Sequence, residues 1–187
     1  RPSRAPATKA PAAAWVDDVE KDYGREFSCN KRAKDIFNRL RSRFSSFANF
    51  AGNFGPFGAA FAVVSFGTTL ITPGATISIS NTNIVGTPPY QTFINFNVTV
   101  TVSSVSTTAS NSMGFSFTTN PGHVLHPATI SFTATDTGPG RVSFRINVRG
   151  NFASYVYQIL YNAGGSDLED RIWNNLINNV SKYCGNK

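Results

Sequence analysis

Apolar residues recur at helical spacing in two long stretches of the chain. One stretch follows the breaker pair Gly164-Gly165 and runs from Ser166 to Cys184. Ser166 precedes Glu169 by three residues, which is the spacing of a capping box that satisfies free backbone N–H groups at a helix start. The apolar face predicted for this helix comprises Leu168, Ile172, Trp173, Leu176, Ile177, Val180 and Cys184. This face requires another layer of the protein to cover it.

The second helical stretch begins at Asn30, and it is strongly basic. Its predicted apolar stripe comprises Ala33, Ile36, Phe37, Leu40, Phe44 and Phe47. We interpret it as a core-facing helix with a solvated back. The alternative is a helix that contacts an anionic surface through Lys31, Arg32, Arg39, Arg41 and Arg43.

The N-terminal residues differ in composition from the remainder. Residues 1–14 are rich in Pro and Ala and predict a flexible arm, followed by a single α+β domain over residues 15–187. A short helix is predicted from Val16 to Tyr23, with Asp17 and Asp18 near its positive end and Gly24 stopping it.

Between the two helical stretches the apolar period changes to two, as strands require. Turn residues such as Asn120-Pro121-Gly122 separate the alternating segments, so the connections are short and the strands antiparallel. A helix is expected over Phe152 to Leu160. The predicted strands are Phe61–Leu70, Thr76–Ser80, Thr92–Ser103, Phe115–Phe117, Thr129–Thr135 and Val142–Val148.

The segment from Phe44 to Ile71 carries no charge and is long enough to cross a bilayer. Glycine and proline residues interrupt the helical spacing of its apolar residues, most strongly at Pro56. We interpret this segment as a buried connector, with membrane insertion as the alternative.

These elements predict an α+β fold: an antiparallel sheet of five or six strands, with N-terminal helices and a long C-terminal helix packed on one face. The order of elements over about residues 30–184 resembles the helix-grip arrangement of the START and polyketide-cyclase-like superfamily. That resemblance implies a curved sheet that grips the C-terminal helix around an apolar cavity. It rests on element order and assigns no functional residue.

Composition narrows the class of protein. The chain has 187 residues, a net charge of +7 and 41% hydrophobic residues, which suffice for one core. Asp136 is the only charged residue between positions 51 and 140, a composition that favours an extracytoplasmic or secreted protein. Cys29 and Cys184 flank the two helical stretches, and we predict a disulfide between them; two buried free thiols are the alternative.

Candidate chemistry is sparse. His123 and His126 have no Cys, Asp or Glu nearby in sequence, so we expect a structural role and predict no metal. Asp167, Glu169 and Asp170 could act as an acid–base group, but their place at a helix start explains them without catalysis. No cofactor motif is present, and basic charge alone does not predict a nucleic-acid partner.

The sequence therefore favours a secreted or exported, non-catalytic module that binds an apolar small molecule or a lipid surface. The predicted ligand-lining residues are Phe57, Phe61, Phe96, Phe117, Phe132, Phe144 and Trp173. Two alternatives remain open: a membrane-active effector or toxin domain that contacts an anionic membrane surface, and an enzyme with an unrecognised site. The oligomeric state is left open.

Overall fold

The computed structural model describes residues 17–187, so the predicted Pro- and Ala-rich arm lies outside the described residues. Eight strands form one antiparallel sheet in the order β1-β8-β7-β6-β5-β4-β3-β2. The predicted five or six strands are therefore too few. The strands are β1 (Val19–Ser28), β2 (Phe50–Phe54), β3 (Ala60–Phe66), β4 (Thr76–Val85), β5 (Thr92–Ala109), β6 (Ser112–Thr119), β7 (Leu125–Gly138) and β8 (Arg141–Phe152).

Three α-helices accompany the sheet in the described part of the chain. They are α1 (Ala33–Ala48), α2 (Tyr155–Leu160) and α3 (Ser166–Tyr183). A π-helical turn, Tyr161–Gly165, joins α2 to α3, and a short 3₁₀ turn, Pro56–Gly58, joins β2 to β3. The helix expected from Phe152 is thus shorter than predicted and begins at Tyr155.

The short helix predicted near the N-terminus is wrong, because Val19–Ser28 is an edge strand paired with β8. Acidic side chains before and along β1 meet arginines of β8. Arg149 Nε lies 3.2 Å from Asp17 Oδ2, and Arg141 Nε lies 2.9 Å from Glu26 Oε1. Each exposed ion pair adds little stability, but the acidic side chains can reach these arginines only when their segment is a strand beside β8.

The uncharged segment interpreted as a buried connector forms instead the end of α1 and the β2–β3 hairpin. Gly55 and Gly58 adopt φ values of 78° and 63° in the turn of this hairpin, which explains glycine there. Phe57, between them, is fully exposed. Within residues 17–187, none of the helices has the length and apolar character needed to span a bilayer.

Helix α1 buries the whole of its predicted apolar stripe against the sheet and α3. Phe44 is the centre of an aromatic cluster in this layer. Its ring meets the rings of Phe66, Phe115, Phe117 and Phe132 edge-on, at centroid distances of 5.4, 6.0, 5.3 and 5.3 Å. Edge-to-face contacts of this kind add to the energy of area burial.

Helix α3 buries its predicted face apart from Trp173, which is partly buried, and it packs on α1 and on both edge strands, β1 and β2. The predicted capping box is wrong. The backbone N–H of Ser166 donates to Tyr161 O, because helical structure continues backwards through the π turn. The Ser166 hydroxyl instead accepts from Lys21 Nζ at 2.6 Å.

The predicted disulfide between Cys29 and Cys184 is confirmed, with a Cα–Cα distance of 4.4 Å. It joins the C-terminal end of α3 to the chain just after β1. Backbone contacts reinforce the junction, since Asn30 N donates to Cys184 O at 3.1 Å. The result is an α+β fold in which a curled antiparallel sheet holds a long C-terminal helix.

Candidate ligand-binding cavity

A cavity of about 460 Å³ lies between the sheet and the C-terminal helix. Its walls come from the inner faces of β3 to β8, from the β2–β3 turn, and from the segment that joins α2 to α3. Leu160 and Val85 line the cavity and are each 41% exposed, so they mark its opening. The volume and the mostly apolar lining are typical of sites for small molecules.

Three of the seven predicted ligand-lining residues line this cavity: Phe96, Phe117 and Trp173. Trp173 reaches it from α3 and packs against Phe132, with ring centroids 5.6 Å apart. The other four lie elsewhere. Phe132 and Phe144 are each 1% exposed and belong to the solid core, whereas Phe57 lies in a solvent-exposed turn and Phe61 is 36% exposed on β3.

Four polar residues of the cavity wall were not singled out from the sequence as ligand contacts. They are Asn81, Asn83, Tyr161 and Glu169. Asn81 and Asn83 each carry a buried side-chain oxygen without a hydrogen-bond partner, whereas the Tyr161 hydroxyl and the Glu169 carboxyl lie beside each other and interact. A signal was available for the asparagines, because they continue the inward-facing series of Ile77 and Ile79 along β4.

Glu169 and Tyr161 lie beside a polar cluster at the base of α3. Lys21 Nζ donates to Ser166 Oγ at 2.6 Å and to Asp170 Oδ1 at 2.8 Å. Burial raises the pKa of the Glu169 carboxyl, while the neighbouring Tyr161 hydroxyl and the Lys21 charge act to lower it. Burial, together with the charge of Glu169, raises the pKa of Tyr161 to about 12. The Tyr161 hydroxyl therefore remains protonated at neutral pH.

Asp167, Glu169 and Asp170 do not form one acid–base group. Asp167 Oδ2 accepts from the backbone N–H of Gly55 at 2.7 Å and from Arg171 Nε at 2.8 Å, which ties the β2–β3 turn to α3. Asp170 accepts from Lys21 and from the Tyr23 hydroxyl, at 2.6 Å for the latter. The three carboxyl groups thus have separate environments.

The two histidines occupy the loop and strand that follow β6. His123 lines the cavity, and its Nδ1 accepts from the backbone N–H of Leu125 at 3.1 Å, so the neutral ring carries its proton on Nε2. Burial lowers the pKa of His123 to about 4. His126 Nδ1 lies 3.1 Å from Thr119 Oγ1. Over residues 17–187, no group of three metal-ligating side chains is brought together.

The basic side chains of the α1 region are partly engaged within the protein. Lys31 Nζ donates to Tyr183 O at 3.0 Å, Arg32 pairs with Asp136, and Arg41 Nε donates to Ile71 O at 2.8 Å. The exposed members of the set are Arg32, Arg39 and Arg43. Contact with an anionic surface through these residues stays a prediction.

The architecture is that of the helix-grip fold: a long C-terminal helix held by a curled antiparallel sheet, with a cavity between the two. No family model matches the chain, and no curated protein does. Solved structures do. A hypothetical protein from Helicobacter pylori, jhp0584, gives a TM-score of 0.55 at 9% identity, covering 98% of this chain and 96% of that one.

Two further similar structures have lower scores. Protein Ms6760 from Mycobacterium smegmatis gives a TM-score of 0.48 at 13% identity, covering 86% of this chain and 87% of that chain. The major latex-like protein 151 from Panax ginseng gives 0.43 at 8% identity, covering 88% and 94%. At 9% identity the likeness to the Helicobacter pylori protein concerns the fold alone.

Proposed function

We propose that this protein is a non-catalytic carrier that binds an apolar small molecule in the cavity between its sheet and α3. The observation that carries the proposal is the apolar lining of a cavity of about 460 Å³, with Phe96, Phe117 and Trp173 among its walls. An acyl chain or a compact ring system has the shape and the apolar surface that such a cavity rewards.

Secretion is part of the same proposal. The disulfide between Cys29 and Cys184 supports it, because structural disulfides persist mainly in oxidising compartments outside the cytosol. The nearly charge-free strands from β3 to β7 are compatible with that location.

The test is a titration with N-phenyl-1-naphthylamine, a neutral fluorescent probe of apolar sites. Two matched variants locate the binding. Val98→Phe adds a ring inside the cavity, whereas Asn97→Phe adds the same ring at the neighbouring exposed position. We expect Val98→Phe to weaken probe binding about tenfold, because overfilling costs about 1–3 kcal/mol.

Asn97→Phe should bind the probe as the wild-type protein does. Trp15→Phe is introduced throughout, so that Trp173 alone reports occupancy of the cavity by energy transfer to the probe. A wild-type protein that leaves the probe free, or a Val98→Phe variant with unchanged affinity, contradicts the proposal.

A further inference from the structure

The cavity contains every buried side-chain polar atom that lacks a partner in the described part of the chain. They include the amide oxygens Asn81 Oδ1 and Asn83 Oδ1; the other two, Tyr161 Oη and Glu169 Oε1, lie beside each other, and their interaction affects the pKa of both groups. A buried polar group without a partner costs about 1–3 kcal/mol, so a group that has no partner within the chain usually finds one in a molecule from outside it. Their concentration at one cavity indicates that its occupant supplies polar contacts.

The asparagine pair has the least opportunity for an internal partner. Asn81 lies between Val64 and Phe96 on the adjacent strands, and Asn83 lies between Ala62 and Ile94. All four cross-strand neighbours are apolar and offer no side-chain hydrogen bond. No side chain on an adjacent strand therefore satisfies either amide oxygen.

Elsewhere the same fold satisfies its partly buried asparagines. Asn120 Oδ1 accepts from Thr101 Oγ1 at 3.0 Å, and its Nδ2 donates to Thr99 Oγ1 at 3.0 Å. Even the exposed Asn49 has a partner, since its Oδ1 accepts from Phe66 N at 2.7 Å. The unpaired oxygens on β4 are thus a property of the cavity and not of the fold in general.

The charges around the cavity restrict the occupant further. Among residues 17–187, neither lysine nor arginine lines the cavity, and its one carboxyl group belongs to Glu169. The nearby Lys21 is engaged by Ser166 and Asp170. An anionic ligand would therefore be buried without a counter-charge, which is strongly unfavourable in an apolar site.

We propose that the cavity selects a neutral apolar molecule that carries a hydrogen-bond donor, such as a hydroxyl group, which it places against the amide oxygens of Asn81 and Asn83. This inference rests on the carrier function proposed above and adds the chemical class of the ligand. It separates alcohols from fatty-acid anions of the same length.

Three competitors, each with a ten-carbon chain, test the proposal by displacing N-phenyl-1-naphthylamine. Decan-1-ol carries a donor, 1-methoxydecane retains the oxygen without a donor, and decanoate carries a negative charge. We expect decan-1-ol to bind about five to ten times more tightly than either of the other two, the factor that one net hydrogen bond supplies.

The double variant Asn81→Leu/Asn83→Leu should bind decan-1-ol and 1-methoxydecane equally. Asn97→Leu, the same change on the exposed face of β5, should retain the preference. The double variant should also unfold at a higher urea concentration than the wild type, because two unpaired buried groups are removed. This measurement shows independently that the variant is folded.

The outcomes separate the two proposals. If the probe binds but alcohol, ether and anion compete equally, the carrier function stands and the ligand class is overturned; the amides are then satisfied by water. Preference for decanoate overturns the ligand class as well. If the wild-type protein does not bind the probe at all, both proposals fall.

Discussion

Removal of the disulfide is expected to cost a large part of the protein's stability. Cys29 and Cys184 are 155 positions apart, so the bond closes nearly the whole described chain into one loop. The chain-entropy relation gives about 5 kcal/mol for a loop of this length. Total stabilities of ordinary domains are about 5–15 kcal/mol, so this loss is a large fraction of the whole.

The native junction does not depend on the sulfur atoms alone. Asn186 Nδ2 donates to Ser28 O at 2.7 Å, and Lys31 Nζ donates to Tyr183 O at 3.0 Å. These contacts keep the ends of β1 and α3 together in the folded state of a Cys29→Ala/Cys184→Ala variant. The effect of the substitution therefore arises mainly in the unfolded chain, which becomes free to expand.

Urea unfolding measures this effect through Trp173 fluorescence in a Trp15→Phe background. We expect a lower midpoint together with a larger m-value, since the uncrosslinked unfolded chain exposes more surface. If loop entropy is the cause, the parent protein with its disulfide reduced and the Cys29→Ala/Cys184→Ala variant should have free energies of unfolding that agree within about 1 kcal/mol. A loss below about 1 kcal/mol with an unchanged m-value would refute the reasoning.

Three further predictions follow from the core and the cavity. Phe44→Leu keeps an apolar side chain but loses the edge-to-face contacts, so urea unfolding should show a free energy of unfolding lower by about 1–3 kcal/mol. The control Phe93→Leu, at an exposed position, should lower it by no more than about 0.5 kcal/mol. Burial raises the pKa of Glu169, so ionisation of its carboxyl group destabilises the fold as pH rises above 4.5. Glu169→Gln should therefore stabilise the protein more at pH 7 than at pH 4. An equal stabilisation at the two pH values would contradict this prediction. The pKa of His123 is lowered to about 4, so the free energy of unfolding should fall by up to about 3 kcal/mol as pH drops from 6.5 to 4. His123→Gln should remove this contribution to the pH dependence. An NMR titration of the His123 imidazole with a midpoint near 6.5 would contradict the prediction.

The elements that local periodicity specifies were predicted well. Helices α1 and α3 bury the faces that their apolar spacing indicated, because a helix face depends only on residues three or four apart. Strands β3 to β8 were located by their alternation in the same way. The disulfide was predictable because the chain contains only two cysteines, each next to a helical stretch.

The errors occur where a distant partner or a neighbouring element decides the structure. The residues of β1 carry helix-compatible charges, and it is antiparallel pairing with β8, more than a hundred positions away, that makes them an edge strand. Ser166 and Glu169 have the spacing of a capping box, but α2 and the π turn extend the helix backwards and remove the free N–H groups that a cap would satisfy. Both are local signals that tertiary context overrides.

For the cavity, the sequence identified the type of side chain but not its position. Phe96 and Phe117 line the space, whereas Phe132, equally aromatic and equally on a strand, does not line it and is 1% exposed in the solid core. Alternation assigns a residue to a face of the sheet. It does not say whether a helix covers that part of the face.

The sequence by itself determined the type and order of most elements, their buried faces and the pair of cysteines that joins the two ends of the described domain. Only the tertiary structure decided how β1 pairs with β8, which aromatic rings surround an open space, and that Asn81 and Asn83 face it without partners. The physical reason is the distance along the sequence between the residues that determine each feature. Periodicity records which side of an element is apolar, whereas a cavity arises from the curvature of eight strands and from where two helices stop covering them.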